Sequence, residues 1–161
     1  MSNEFTVKEI GKIETSSEGF SLQLNEKYIP ALTGLEGYSM IQVLWWANYV
    51  DTEEYRSMVT CQQPYKDAPD TMGIFATRSP ARPNPICLTA VSVLNIDHEN
   101  GTIIIPYIDA EDGSPILDIK PYHPSIDRVK NVSVPDWCNQ WPQWLEDSAS
   151  FDWDAVFVNA H

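Results

Sequence analysis

The sequence lacks the features that define several large classes of protein. No run of about 20 apolar residues occurs, so a membrane-spanning helix is excluded. The first residues show no basic stretch followed by an apolar one, and we therefore expect no secretory signal and a cytoplasmic protein. Phosphate-loop, nucleophile-elbow and Gly-x-Gly-x-x-Gly patterns are also absent, which argues against a doubly wound nucleotide-binding fold.

Cysteine and histidine are scarce and scattered. The three cysteines, Cys61, Cys87 and Cys138, are far apart and follow no metal-binding spacing, so we expect reduced thiols without a disulfide. The three histidines form no metal pair, and the sequence predicts no metal site. His123 follows a Lys-Pro-Tyr run and is either a site residue or a solvated side chain.

Basic residues are few: the chain has 10 Lys and Arg against 23 Asp and Glu, a formal net charge of −13. Such a charge opposes nonspecific binding to nucleic acid, because phosphates are neutralised by Lys and Arg. The acidic side chains after Val134 stand without any Lys or Arg. Half of the basic residues, in contrast, lie in one stretch of sequence: Arg78, Arg82, Lys120, Arg128 and Lys130. This asymmetry favours one basic functional face on an acidic body.

Acidic residues are absent from residues 71–96, and the centre of this stretch is the most distinctive part of the chain. Thr77–Pro85, called the proline loop below, holds three prolines and the two arginines Arg78 and Arg82. Proline restricts the backbone, so the loop is expected to be stiff. A stiff loop with two guanidinium groups suits the recognition of an anion or a carboxylate. A proline-rich connection with two solvated arginines is the alternative interpretation.

Short apolar segments separated by turns predict a mainly β protein. About seven or eight strands of this kind are typical of a small antiparallel barrel or a sandwich. An Asn-Gly pair at positions 100 and 101 indicates a hairpin turn, and residues 51–56 predict one helical turn. The predicted strands cover residues 5–13, 20–24, 38–47, 73–76, 86–94, 102–108 and 116–122.

The end of the chain differs in composition from the rest. Trp137, Trp141 and Trp144 are spaced i, i+4 and i+7, which predicts one face of an amphipathic helix that starts near Pro135. Pro142 would kink or split such a helix. An aromatic cage for a ligand is the alternative. We therefore predict a domain over residues 1–133 and an acidic, Trp-rich helical extension over residues 134–161 that packs on it.

Asp118 and Lys120 form a second candidate site. They are two residues apart on a predicted strand, so their side chains share a face of the sheet. A carboxylate and an ammonium together suit a zwitterion, or a sugar and a base. The alternative is an ordinary surface ion pair of little energetic worth.

Three segments resemble the TsaA-like (TrmO) family, whose characterised members are S-adenosylmethionine-dependent tRNA methyltransferases. They are Gly34–Ser39, Gly73–Ile86 and Asp112–Tyr122, and they occur in the family's order. A weaker similarity begins near Glu9 and extends to about Asp127. The resemblance implies a small antiparallel β-barrel with a few short helices, and a homodimer with the methyl donor near the subunit interface.

The resemblance also implies the activity and the residues that perform it. The expected reaction is methylation of N6 of threonylcarbamoyladenosine beside the anticodon of threonine tRNA. Asp118 and Tyr122 are the expected catalytic residues, with Asp118 accepting the proton that the attacking nitrogen loses. Arg82 and Asn84 are the expected substrate contacts. The expected cofactor contacts are Arg78, Leu88, Asp109, Asp112, Asp118, Ile119 and Lys120.

The chain departs from the family's pattern at three places. A short acidic stretch, Ile13–Phe20, stands where many members have a Pro-Arg-Gln loop. Asn48 and Tyr49 replace a His-Gln pair, and Cys87 replaces a glycine. Two other functions therefore stay open. One is a methyltransferase of the same fold with a small-molecule substrate, and the other is a non-catalytic module that binds S-adenosylmethionine or a nucleotide.

Overall fold

The structure, a computed structural model, describes residues 3–159 and is mainly β. Positions 1 and 2 of the predicted domain and positions 160 and 161 of the predicted extension lie outside the described residues. Within it, the chain forms nine strands: β1 (Gly11–Ser16), β2 (Gly19–Leu24), β3 (Met40–Trp46), β4 (Thr60–Gln62), β5 (Thr71–Gly73), β6 (Ile86–Ser92), β7 (Asn95–Asp97), β8 (Thr102–Ile105) and β9 (Pro115–Pro121). The prediction of a mainly β, antiparallel protein is confirmed.

The helices are short, as predicted. The two α-helices are α1 (Glu53–Arg56) and α2 (Pro124–Asp127), and α1 falls where the sequence indicated one helical turn. The 3-10 helices are Glu26–Leu32, Asn48–Val50, Ile74–Ala76, Asp136–Cys138 and Leu145–Ser150. Within residues 3–159, no helix has the length and apolar character that a membrane crossing requires.

The chain groups into two compact units. The first, called the sheet unit below, comprises the chain up to Asp51 together with Pro85–Arg128. The second, called the loop unit, comprises Thr52–Asn84 together with the chain from Val129 onward. The segment from Val129 is called the tail below. The predicted boundary after residue 133 stays a prediction.

The sheet unit contains seven strands in the order β6-β3-β9-β1-β2-β8-β7, and every pair is antiparallel. Its two edge strands are consecutive in sequence, because only Val93 and Leu94 separate β6 from β7. The Val93 N–H donates to the Ser39 carbonyl at 2.9 Å, and the Leu94 N–H donates to the Ile104 carbonyl at 2.9 Å. One extended segment therefore passes from one edge of the sheet to the other. Closure into a barrel stays a prediction, because no ladder joins β6 to β7 in the described residues.

The core of the sheet unit is aliphatic and follows the alternation of the strands. Ile41 and Val43 of β3 are fully buried, whereas their neighbours along the strand, Met40, Gln42 and Leu44, are half-buried. Ile13, Leu22 and Ile116 are also fully buried and come from three neighbouring strands. Each such side chain contributes about 1.5–3 kcal/mol when it is removed from water. The two-residue period of each strand therefore determines which side chains point away from the core and can contact a ligand.

An irregularity in β9 sets the direction of its functional side chains. The β3–β9 register shifts between Leu44 and Trp45, so that Leu44 pairs with Asp118 while Trp45 pairs with Ile116. The extra residue, Leu117, is a β-bulge. Ile116 remains in the core on one side of the bulge, and Ile119 packs against the core on the other. Asp118 and Lys120 consequently pair with the half-buried face of β3.

Two predicted strands differ from the structure. The first strand begins at Gly11 and not at Phe5, and the preceding residues are mostly exposed. Gly11 marks the true start because β1 and β2 approach closely there, where a Cβ would lie 2.3 Å from the Gln23 carbonyl oxygen. The predicted strand over residues 73–76 is wrong, because Gly73 ends β5 and Ile74–Ala76 form a 3-10 turn in which only Ile74 is buried.

The prediction of an amphipathic helix in the tail is wrong. The described tail forms two 3-10 turns, Asp136–Cys138 and Leu145–Ser150, with Pro142 between them. Trp137 and Trp141 pack against each other at 5.6 Å, but Trp144 is 58% exposed. Proline interrupts the hydrogen-bond ladder that an α-helix would need, so the regular spacing of tryptophans does not produce one helical face.

Candidate functional site

The half-buried face of β3 gathers three of the predicted cofactor residues. Leu44 pairs with Leu88 on β6 and with Asp118 on β9, so the three side chains form one row across the sheet. In the next row, Gln42 lies opposite Lys120. Leu88, in the middle of the edge strand β6, is 42% exposed. This face combines an apolar surface with a carboxylate and an ammonium.

Asp118 and Lys120 form an ion pair, as their spacing predicted. Lys120 Nζ lies 2.8 Å from Asp118 Oδ2, and Asp118 Oδ1 accepts a hydrogen bond from the Ile119 N–H at 3.0 Å. The hydrogen bond and the negative charge of Asp118 raise the pKa of Lys120. Both side chains are substantially exposed, so the pair adds little to stability. Its oxygens and ammonium remain within reach of a ligand.

The Asp109–Asp112 turn is tied to two other parts of the sheet unit. The Asp112 side chain accepts a hydrogen bond from the Thr15 N–H at 2.8 Å, and the Asp112 carbonyl accepts one from the Tyr49 hydroxyl at 2.8 Å. Asp109 is exposed, and its charge adds to burial in raising the pKa of Tyr107. Asp112 therefore has a structural role at the β1–β2 hairpin, although both carboxylates are exposed.

Tyr122 lies beyond the opposite end of β9 from this turn. The seven residues of β9 span roughly 20 Å at ~3.3 Å per residue. The Tyr122 N–H donates to the Met40 carbonyl at 3.0 Å. The adjoining α2 is fixed by Asp127, whose side chain accepts from Gln42 Nε2 at 2.7 Å and from the His123 N–H at 2.7 Å. The structure does not bring Tyr122 to the Asp109–Asp112 turn.

An open cavity of about 400 Å³ lies in the sheet unit where two of the distinctive sequence segments meet. Gly34, Leu35 and Tyr38 line it from one segment, and Asp118 and Ile119 line it from the other. Gly34 and Gly37 both have a φ of +89°, a conformation that side chains disfavour, so these glycines are required by the turn. The cavity offers a mostly apolar wall with one carboxylate residue.

The rim of this cavity is held by a side-chain contact that the sequence did not indicate. Glu36 Oε1 lies 2.7 Å from His98 Nε2 of the β7–β8 hairpin. Hydrogen bonds from the backbone of Glu36 and Gly34, together with His98, hold the pKa of the Glu36 carboxyl below its usual range. The turn before β3 is therefore attached to the far hairpin of the sheet.

The proline loop closes the first chain segment of the loop unit, Thr52–Asn84, and is stabilised by its own polar groups. Thr77 is buried, and its hydroxyl donates to the Ile74 carbonyl at 2.8 Å. The same hydroxyl accepts from the Ser79 N–H at 3.3 Å, and the Ser79 hydroxyl accepts from the Ala81 N–H at 3.2 Å. The predicted stiffness thus has a second source, since side-chain caps act together with the prolines.

The two arginines of the proline loop have different surroundings. Arg82 is half-buried, and its Nη1 donates to the carbonyls of Thr77 at 3.3 Å and Ser79 at 3.2 Å. Its guanidinium also lies 6.0 Å from the centre of the Phe75 ring. Arg82 therefore holds the loop together. Arg78 and Asn84 are exposed and are the better placed of the predicted residues to meet a ligand.

Sequence reasoning missed the residues that act across long distances in the chain. Tyr49 and Asp112 are 63 positions apart, and Gln42 and Asp127 are 85 positions apart. Only the replacement of the family's His-Gln pair drew attention to Tyr49. Among the described residues, no cluster of three His, Cys, Asp or Glu side chains is arranged to hold a metal ion.

The antiparallel sheet and its short helices define a small, mainly β protein, and the sheet unit carries an exposed pair of opposite charges on one face. A family model described as the tRNA-methyltransferase O N-terminal domain matches residues 7–128. The chain belongs to this family, and the resemblance of its three segments is confirmed.

Individual relatives agree with this assignment. A probable S-adenosyl-L-methionine-binding protein of Methanothermobacter thermautotrophicus is 38% identical over 115 residues, which are 71% of this chain and 77% of the relative. A mouse tRNA (adenine(37)-N6)-methyltransferase is 38% identical over 104 residues, 65% of this chain and 23% of the relative. The crystal structure of TrmO from Pseudomonas aeruginosa superposes with a TM-score of 0.65 at 25% identity and covers 84% of this chain. The match spans 62% of that TrmO chain.

Proposed function

We propose that this protein is a methyltransferase that uses S-adenosylmethionine and methylates N6 of adenine 37 in tRNA. The observation that carries the proposal is the family match over residues 7–128, which include every predicted site residue. The names of the archaeal and mouse relatives support the cofactor and the reaction class respectively. Threonylcarbamoyladenosine in threonine tRNA is our proposed form of the substrate. A homodimer and a cytoplasmic location remain predictions.

The residues of the sheet unit fit such a cofactor chemically. S-adenosylmethionine supplies an electrophilic methyl group on a sulfonium, beside a zwitterionic amino acid part and an adenosine part. Asp109 is an exposed carboxylate suited to an ammonium or a ribose, and Leu88 is an exposed apolar side chain suited to the face of a base. Asp118 and Lys120 present opposite charges on the same face as Leu88.

The reaction needs alignment more than acid–base strength. The attacking nitrogen forms a bond to the methyl carbon while the carbon–sulfur bond breaks. The electron pair of the broken bond passes to sulfur. Holding the two partners in line therefore supplies most of the rate enhancement. The nitrogen then loses one proton. Asp118 is our proposed acceptor, since its carboxylate is accessible.

Arg78 is proposed as a further cofactor contact. Its support is its exposure, its fixed positive charge and its place in the segment that the family model matches. A guanidinium recognises a carboxylate through paired hydrogen bonds, and both the methionine part of the cofactor and the threonyl part of the substrate carry one.

A methyltransferase acting on a small molecule is the second candidate. The formal net charge of −13 favours it, because an acidic protein repels the tRNA backbone. The tRNA hypothesis requires that local basic groups offset this repulsion, and its activity should therefore fall steeply as the salt concentration rises.

Methyl transfer to defined tRNAs tests the proposal. The protein is incubated with labelled S-adenosylmethionine and threonine tRNA that carries threonylcarbamoyladenosine, and the nucleosides are then separated by mass. We expect label in one nucleoside, heavier than its precursor by one methylene. The same tRNA transcribed without modification is the control and should stay unlabelled. Label in neither tRNA, with the donor bound, would contradict the tRNA assignment and favour the small-molecule candidate.

A further inference from the structure

The tail belongs to the same compact unit as the proline loop, yet it lies outside the residues that the family model matches. The loop unit joins Thr52–Asn84 to the chain from Val129 onward, whereas the family match ends at residue 128. Its one described ladder, β4–β5, has only three residue pairs. The unit therefore needs some other source of order.

The backbone of the tail runs along the segment that precedes β5. The Lys66 N–H donates to the Val156 carbonyl at 2.8 Å, and the Val158 N–H donates to the Pro64 carbonyl at 3.0 Å. Tyr65 and Phe157 form an isolated antiparallel bridge between these two bonds. Residues 63–66 and the tail thus behave as a short two-stranded ribbon.

Aromatic side chains also join the tail to the segment around Tyr65. Tyr65 stacks on Trp137 at 5.5 Å with an interplanar angle of 13°, and meets the edge of Trp141 at 5.2 Å. Trp141 in turn contacts Trp153 at 5.4 Å. Pairs at these separations and angles are favourable beyond the area they bury. The aromatic cluster, as we call it, consists of Tyr65, Trp137, Trp141, Phe151, Trp153 and Phe157.

Tyr65 connects the aromatic cluster to the proline loop. Burial raises the pKa of the Tyr65 phenol, and a hydrogen bond from the backbone of Arg78 acts in the opposite direction. The phenol oxygen is thus in contact with the backbone of the residue that presents the loop's exposed guanidinium. The next residue on either side is fixed as well, since the Thr77 hydroxyl bonds both the Ile74 carbonyl and the Ser79 N–H.

We propose that the tail is a positioning element for the proline loop: Trp137 and Trp141 fix the Tyr65 ring, and the Tyr65 hydroxyl fixes the backbone at Arg78. Tyr65, Trp137 and Trp141 act through Arg78 and touch no reacting atom. The effect of the tail on the order of the loop does not depend on the proposed function. The consequence for cofactor affinity rests on the proposed function of Arg78.

Limited digestion with trypsin reports on the loop without any cofactor. Trypsin cleaves after arginine unless proline follows, so Arg78–Ser79 is a cleavable bond in the loop and Arg82–Pro83 is not. Cleavage requires local opening, and its rate follows the population of the open state. The rate at Arg78–Ser79 is measured by mass spectrometry relative to cleavage after Lys8 in the same digest.

Trp141→Ala should accelerate cleavage at Arg78–Ser79 by about tenfold relative to the Lys8 reference, because it removes three ring contacts. Trp141→Phe keeps a ring in place and should restore most of the protection. Leu145→Ala truncates an apolar tail residue that is 57% exposed and should leave the ratio unchanged. An unchanged ratio in Trp141→Ala that still melts cooperatively would overturn the proposal.

Tyr65→Phe decides the matter if Trp141→Ala does not fold. This variant keeps the ring and loses only the phenol, so a roughly twofold to tenfold acceleration at Arg78–Ser79 is expected from the loss of one hydrogen bond. No acceleration would refute the role of Tyr65. A wild-type protein that fails to bind S-adenosylmethionine would contradict the proposed function, but the digestion would still decide on the tail.

Discussion

The sheet unit and the loop unit obtain their order in different ways. The sheet unit has long antiparallel ladders and a core of fully buried aliphatic side chains, among them Ile13, Leu22 and Ile116. The loop unit has one three-residue ladder, an aromatic cluster and a loop capped by its own side chains. Stability thus resides mainly in the first unit, whereas the second depends on a few specific contacts.

This difference explains where the candidate site residues lie. In the sheet unit, Leu88, Asp118 and Lys120 lie on the face of the sheet that does not pack into the core. Polar and exposed side chains on this face therefore cost the fold little stability. In the loop unit, the guanidinium of Arg82 holds the loop, whereas Arg78 and Asn84 are exposed. A substitution should therefore affect stability or function according to its unit.

The largest effect is expected in the aliphatic core. Ile116→Ala should lower the free energy of unfolding by about 2–5 kcal/mol, because Ile116 is fully buried and its loss leaves a cavity. Denaturant titration measures the change. Leu94→Ala removes a side chain that is 63% exposed and should change it by less than ~0.5 kcal/mol. Equal losses in the two variants would break the distinction between a stabilising core and its surface.

An intermediate effect is expected at Arg82. Arg82→Ala removes two hydrogen bonds to loop carbonyls and should cost about 1 kcal/mol in local stability. Faster cleavage at Arg78–Ser79, with little change in the global unfolding midpoint, would sharpen the contrast between the units. Asn84→Ala, at an exposed position of the same loop, is the control. A large fall in the global midpoint would mean that the loop shares the stability of the core.

The smallest effect is expected at the β7–β8 hairpin. The Asp97 carboxylate accepts hydrogen bonds from Asn100 Nδ2 and from two backbone N–H groups, and these lower its pKa. A lowered pKa means that the stabilisation is present above the unfolded-state pKa of the carboxyl and is lost as the pH falls through the folded-state value. Asp97→Asn should weaken this part of the acid dependence, as thermal melts between neutral and acidic pH would record. An identical acid profile would rule out a contribution from this turn.

Local patterns in the sequence were sufficient for much of the sheet. The strict alternation of Phe20–Leu24 and the long apolar run before Ala47 correspond to β2 and β3, and the Asn-Gly pair lies at the predicted hairpin. The first strand and the tail were wrong because local periodicity was overridden. Chain approach at Gly11 fixed one boundary, and Pro142 together with ring packing around Tyr65 replaced the helix expected from tryptophan spacing.

The site was predictable only in part for the same reason. The common face of Asp118 and Lys120 follows from strand geometry alone and is confirmed by their ion pair. The structural uses of Asp112 and Arg82 depend on partners that no spacing rule connects, such as Thr15 for the first and the loop carbonyls for the second. The charge of a side chain identifies it as a candidate site residue. Only its contacts in the structure show whether it already bonds to other groups of the protein.

Calorimetric titration with S-adenosylmethionine measures cofactor binding and the role of Arg78 together. We expect the wild-type protein to bind the cofactor and Arg78→Ala to bind it at least about tenfold more weakly, the cost of a lost charge-assisted hydrogen bond. Because Arg78 is exposed, its unfolding midpoint should stay unchanged. Lys130→Ala removes an exposed positive charge elsewhere in the loop unit and should bind like the wild type. A wild-type protein with no measurable affinity for S-adenosylmethionine would refute the proposed methyltransferase function.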